Sequence, residues 1–164
     1  MTRFIFPLIF LFAFLLPLAA EETPSCFELR TYHANEGKLD ALHARFRDHT
    51  LALFEKHGMS NLIYWVPVEN SDNLLIYLLA YPDRAARDAS WKAFRDDPDW
   101  QAAFKASTTE GKLVSKVDSL FLELTDYSPV SSFPETDGEI VYEMRTYTTR
   151  DGKLPNLDAR FRDH

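Results

Sequence analysis

One cysteine, five glycines and a shortage of positive charge are what the 164-residue chain has least of, and each scarcity closes off a class of protein. A lone Cys26 cannot form an internal disulfide or a cysteine-based zinc site. With 18 Lys and Arg against 25 Asp and Glu, the net charge is −7. Clustered positive charge able to grip a phosphate backbone is therefore lacking, and nucleic acid is not an expected partner. No glycine-rich phosphate loop, GxSxG elbow or paired-carboxylate signature occurs. No HxxxH, HxH or HExxH spacing brings imidazoles together, so no metal is expected, and no cofactor is expected in its place. What is present is 46% hydrophobic and 14% aromatic residues, enough for one ordinary globular core.

Residues 1–20 carry one charge at Arg3, an apolar run from Phe4 to Leu18 and then Ala19-Ala20 before Glu21-Glu22. This is the order of a secretory signal peptide, so a secreted or periplasmic protein is expected, with no stable membrane span after cleavage. The apolar run approaches the ~18 residues that can cross a bilayer, so an uncleaved anchor is the alternative. An exported chain with a free thiol is expected to bury it, which places Cys26 in a core.

Cys26 to His49 reads CFELRTYHANEGKLDALHARFRDH and Val141 to His164 reads VYEMRTYTTRDGKLPNLDARFRDH, with fourteen of 24 positions identical at an offset of 115 residues. That period fits a whole small domain, not a solenoid unit. Hence the expected plan is a signal over 1–20, a domain over 26–129, a linker over 130–140 and a second copy beginning at 141–164. The second copy stops inside what the first makes a helix, so the chain is expected to continue for about 90 residues. The alternative is a chain that ends at His164 and pairs with another copy of itself.

Within the first copy, Cys26–His33 alternates as a strand. From Glu36 to His57, Leu39, Leu42, Phe46, Leu53 and His57 recur at helical steps with one longer gap, which predicts one helix ending at Gly58. Asn61–Val68 and Asn73–Tyr81 predict two strands joined by a tight connection, the first near an edge because of Pro67. Arg84–Arg95 predicts a helix packing through Ala85, Trp91 and Phe94. Asp97-Pro98 restarts it to about Ser107, with Asp97 as cap. Val114–Leu124 is the last strand. The order β-α-β-β-α-β makes an α+β, ferredoxin-like unit. Asn73–Tyr81 is apolar on both sides, so the sheet face away from the helices needs cover, and a second copy packed sheet to sheet would supply it.

FELRTYHANEGKLDALHARF, then EKHGM and IYW, then LAYPDRAARDASWKAFRDDPDWQAAF resembles the NIPSNAP family from Cys26 to about Pro129. The resemblance implies the dimeric α/β-barrel architecture, here with two repeats in one chain or two chains in a homodimer. The wider superfamily includes cofactor-free monooxygenases, haem-binding or haem-degrading enzymes and muconolactone-type isomerases. A shared fold supplies analogy only, so whether the chain is an enzyme stays open.

Three functions follow as expectations: binding of a small hydrophobic or aromatic ligand in the barrel cavity, cofactor-independent oxygenation or isomerisation, or assembly alone. Glu28, Arg30 and Tyr32 share one face of the first strand, and Glu143, Arg145 and Tyr147 repeat it. If that face lines a cavity, Arg30, Tyr32 and the strand-end His33 are the catalytic candidates, with Glu28, Trp65, Tyr77 and Tyr81 as ligand-binding walls. The competing reading makes Glu28 and Arg30 a salt bridge that holds strand register. His49 shares its helix with Arg45, Arg47 and Asp48, where a capping or ion-paired role is expected. His57 suits a helix C-terminus. Arg84, Arg87, Asp88, Lys92, Arg95 and Asp96 read as a solvated face with local ion pairs.

Overall fold

The computed structural model describes residues 24–129 and 140–164. The expected signal segment and all of the expected linker except Ile140 lie outside them. The first copy forms β1 (Cys26–Ala34), α1 (Leu39–Arg45), a π-helical turn (Phe46–Thr50), α2 (Leu51–Lys56), β2 (Ser60–Trp65), β3 (Leu74–Tyr81), α3 (Arg84–Asp96), α4 (Pro98–Ser107) and β4 (Val114–Leu122). The four strands make one sheet in the order β2-β3-β1-β4 with every neighbouring pair antiparallel, the split βαβ arrangement expected of the sequence. Edge strand β2 stops at Trp65, before Pro67, which cannot donate to a ladder. β4 ends at Leu122, two residues short of the expected Leu124.

The expected helix over 36–57 forms as one unbroken helical stretch, from Leu39 to Lys56, that widens into a π turn midway. The turn lies between α1 and α2, within the long gap between Phe46 and Leu53. There the Thr50 hydroxyl donates to the Arg45 carbonyl at 3.1 Å, a local bond that competes with regular α pairing. The wider turn lets Arg45, Phe46, Thr50, Leu53 and Phe54 all face inward. His57 closes α2, and Gly58 follows at φ 74°, a conformation that favours glycine.

The core lies between the sheet and its helices, and Cys26 is part of it as expected. Phe54 is its centre, with ring centroids of Phe46, Tyr77, Trp91 and Phe94 between 4.9 and 6.2 Å away. Ala85, expected to pack, is exposed; the inward stripe of α3 runs instead through Arg87, Trp91 and Phe94. Asp83 caps α3 by accepting from the Ala86 amide at 2.7 Å, and Asp97 caps α4 by accepting from the Asp99 amide at 2.8 Å. Replacing Asp83 with Ala is expected to cost about 1 kcal/mol of unfolding free energy in a urea titration, with the fold unchanged by circular dichroism.

Where residues 141–164 repeat the sequence of 26–49, α5 (Leu154–Asp163) stands in the place of α1, but residues 141–149 form no strand. Their counterpart β1 is held by β3 on one side and β4 on the other, and among the described residues no strand pairs with 141–149 in that way.

Candidate functional site

Strand pairing sorts the candidate residues onto two faces. Glu28, Arg30 and Tyr32 stand opposite Leu79, Tyr77 and Leu75 on β3, all on the face beneath the helices. His33 stands opposite Leu74, and Trp65 opposite Ile76, on the other face. The expected site is thus split: Glu28, Arg30, Tyr32, Tyr77 and Tyr81 come together, while His33 and Trp65 are separated from them by the sheet. His33 meets Asp118 at 2.9 Å near one end of that far face, and the Trp65 ring lies 6.3 Å from that of Tyr142 in the second copy.

Glu28 is fully buried and takes six donors. Arg87 reaches it twice, at 2.6 and 2.9 Å, and Arg30 once at 2.5 Å. The hydroxyls of Ser119 and Tyr81 and the Trp91 indole N–H complete the shell at 2.9, 3.3 and 3.1 Å. Burial pushes this carboxyl up, but the bonds from Arg87, the charge of Arg30 and the bonds from Ser119 and Arg30 bring it down to about 2. A carboxylate so satisfied is a poor proton acceptor near neutral pH. Its geometry is that of a clamp joining β1, β3, β4 and α3, which is the salt-bridge alternative for Glu28 and Arg30, extended by a second arginine. Arg87 was expected on the solvated face; it keeps a local pair there with Asp88 at 2.9 Å, as Arg84–Asp88 and Lys92–Asp96 form theirs, but turns its Nε and Nη2 inward to Glu28. The signal for Arg87 was its position four residues before Trp91 and seven before Phe94, on the same helical stripe.

Arg30 is held through its Nε, its Nη1 and the face of a ring. Its Nε donates to the Tyr77 hydroxyl at 3.0 Å, Nη1 to Ser119 at 2.9 Å, and its guanidinium lies 4.3 Å from the Trp91 ring. Tyr77 is fully buried and stacked on Tyr64 at 5.1 Å, a core position and not a pocket wall. Tyr81 likewise has its hydroxyl inside the Glu28 clamp.

Tyr32 differs, because it borders a cavity of about 170 Å³ between the sheet and the helices. The first helical stretch contributes Arg45, Phe46, Thr50 and Phe54. Helices α3 and α4 contribute Phe94, Trp100 and Phe104, and β4 contributes Val114 and Val117. Space of this size holds a single aromatic ring, since a dry cavity of roughly 150 Å³ binds benzene. Sequence reasoning missed this lining because its aromatics carry the spacing of ordinary core residues.

Residues 147–164 form a similar corner. Tyr147 and Phe161 meet edge to face at 5.7 Å, as Tyr32 and Phe46 do at 5.7 Å. With Leu157, Arg160 and His164 they line a hollow whose counterparts in the first copy are Tyr32, Leu42, Arg45, Phe46 and His49. Among the described residues no three His, Cys, Asp or Glu side chains converge as a metal site.

The NIPSNAP family model matches residues 27–129. A NIPSNAP domain protein from Burkholderia xenovorans is 23% identical, aligning 63% of this chain with 98% of its own at a TM-score of 0.55. A NIPSNAP family protein from Agrobacterium tumefaciens is 21% identical over 65% of this chain and 98% of its own, with a TM-score of 0.57. A second from the same organism, with unknown function, is 17% identical over 66% and 95%, also at 0.57. Identities at this level establish a common fold. No curated protein matches the chain.

Proposed function

Because this chain belongs to the NIPSNAP family, we propose that its first domain is a binding unit for a small aromatic or hydrophobic molecule, held in the cavity between sheet and helices. The observation that carries this reading is the 170 Å³ space walled by Phe46, Phe94, Trp100 and Phe104, which offers ring faces and edges to a guest ring. Residues 1–20 support placing the protein outside the cytoplasm. The repeat supports a tandem barrel in which a second sheet covers the far face, where Leu120 and Leu122 are exposed beside Leu29 and Leu78. The oxygenase or isomerase alternative has less support, since His33 lies across the sheet from Tyr32 and Arg30 is bound to Glu28, Tyr77 and Ser119.

Toluene tests the binding reading by saturation-transfer NMR and calorimetry. The expected Kd is on the order of 0.1–1 mM, about −4 to −5.5 kcal/mol. Val117→Trp, at a half-exposed cavity position, should plug the space and weaken binding at least tenfold. No transfer to the wild-type protein, or equal binding by Val117→Trp, would sink the assignment.

A further inference from the structure

Arg45 is 5% exposed, yet it meets no carboxylate within 4 Å among the described residues. The other inward-facing arginines, Arg30 and Arg87, share Glu28 between them. Arg45 has one long bond, from Nη1 to the Ser107 hydroxyl at 3.3 Å, and its guanidinium lies 5.3 and 5.4 Å from the rings of Trp100 and Phe104. Its Nε has no acceptor among the described residues. A buried guanidinium in an aromatic setting without an anion is costly, because stacking on rings does not replace the hydration of its N–H groups. This side chain borders the cavity that holds Tyr32 and Phe46.

We propose that Arg45 is the anion-binding residue of that cavity and that the ligand is a small aromatic carboxylic acid. This rests on the binding reading above and adds the ligand's charge. The carboxylate would pair with the open edge of the guanidinium while the ring lies among Phe46, Phe94 and Trp100. A carboxylate suits the site better than a phosphate: one arginine supplies two parallel N–H bonds to two oxygens, whereas a phosphate dianion would bring further oxygens against apolar walls. The π turn serves the same end, since it turns Arg45, Phe46 and Thr50 together toward one cavity, and such turns favour functional positions. The second copy sets Tyr147, Arg160 and Phe161 around a hollow in the same way.

Phenylacetate and phenylacetamide, alike in shape and different in charge, test this by calorimetry at pH 7 on the whole chain. Wild type should bind the acid at least tenfold tighter than the amide. Arg45→Met, which keeps an apolar stem, should weaken the acid at least tenfold and the amide less than threefold, and Arg45→Lys should restore part of the difference. The Arg45 Nε–Hε resonance, assigned by its loss in Arg45→Lys, should shift with the acid and not with the amide. Equal affinities in wild type, with toluene still binding, would overturn the Arg45 assignment and leave the hydrophobic cavity standing. Binding of none of the three compounds would overturn both. Should Arg45→Met not fold, the acid-to-amide ratio and the Nε–Hε shift in wild type still decide.

Discussion

Glu28→Gln is expected to lower the unfolding free energy at pH 7 by about 3–5 kcal/mol, the cost of removing one partner from a buried charge cluster. The variant keeps the shape of the side chain but leaves Arg30 inside the domain without its counter-charge and Arg87 with Asp88 alone. It also gives an amide N–H₂ to a place where six donors already converge, so at least one donor faces another. The pH dependence separates this from simple loss of packing. Glu28 titrates at about 2 in the fold against 4.5 in the open chain. A depressed carboxylate contributes fully above its unfolded value and loses that contribution as pH falls through 4.5 toward 2, because only the unfolded chain takes up the proton in that window. Urea titrations from pH 7 to 3 should therefore show the gap between wild type and variant narrowing below pH 4.5. A gap constant across that range would mean that ionisation of Glu28 contributes nothing.

Phe54→Ala is expected to cost about 3–5 kcal/mol as well, by a different route. Phe54 is buried beneath four other rings, and its loss removes transfer free energy and leaves a void that those rings cannot fill without leaving their own contacts. It also borders the cavity, so the void adds to space already there. Toluene at ten times its Kd should then return about 1.4 kcal/mol to the variant, and a melting curve with and without ligand reads that recovery directly. A larger guest such as naphthalene should stabilise Phe54→Ala and leave wild type unmoved. A variant indifferent to both compounds would detach Phe54 from the binding space.

The strands and their order were legible because alternation in β1 and the apolar run in β3 leave little choice of partner. The direction of each face was harder to read. Glu28, Arg30 and Tyr32 alternate with Phe27, Leu29 and Thr31, so polarity alone made the charged side look like the open one; the structure turns it inward because two arginines and three neutral donors offset its burial. Arg87 and Arg45 were hidden for the same reason. Each sits in a stretch dense with charge, LHARFRDH or PDRAARD, where composition says solvent and only spacing from Trp91 or Leu42 says core. The π turn between α1 and α2 left a trace, the long gap after Phe46, but a gap does not distinguish such a turn from a polar face. His33 and Trp65 could be sorted only by register, since a shift of one residue moves a side chain through the sheet.

The sheet order bears on how the domain comes into being. The strand at the centre, β1, is the first to leave the ribosome, and its two neighbours are the third and the last. Glu28 waits for Tyr81, Trp91 and Ser119, which lie 53, 63 and 91 residues further along the chain. No half-length nascent chain can close that shell. Folding is therefore expected to be slow for a domain of this size and to begin only when β4 has been made, so that the growing polypeptide stays threadable until its final strand arrives.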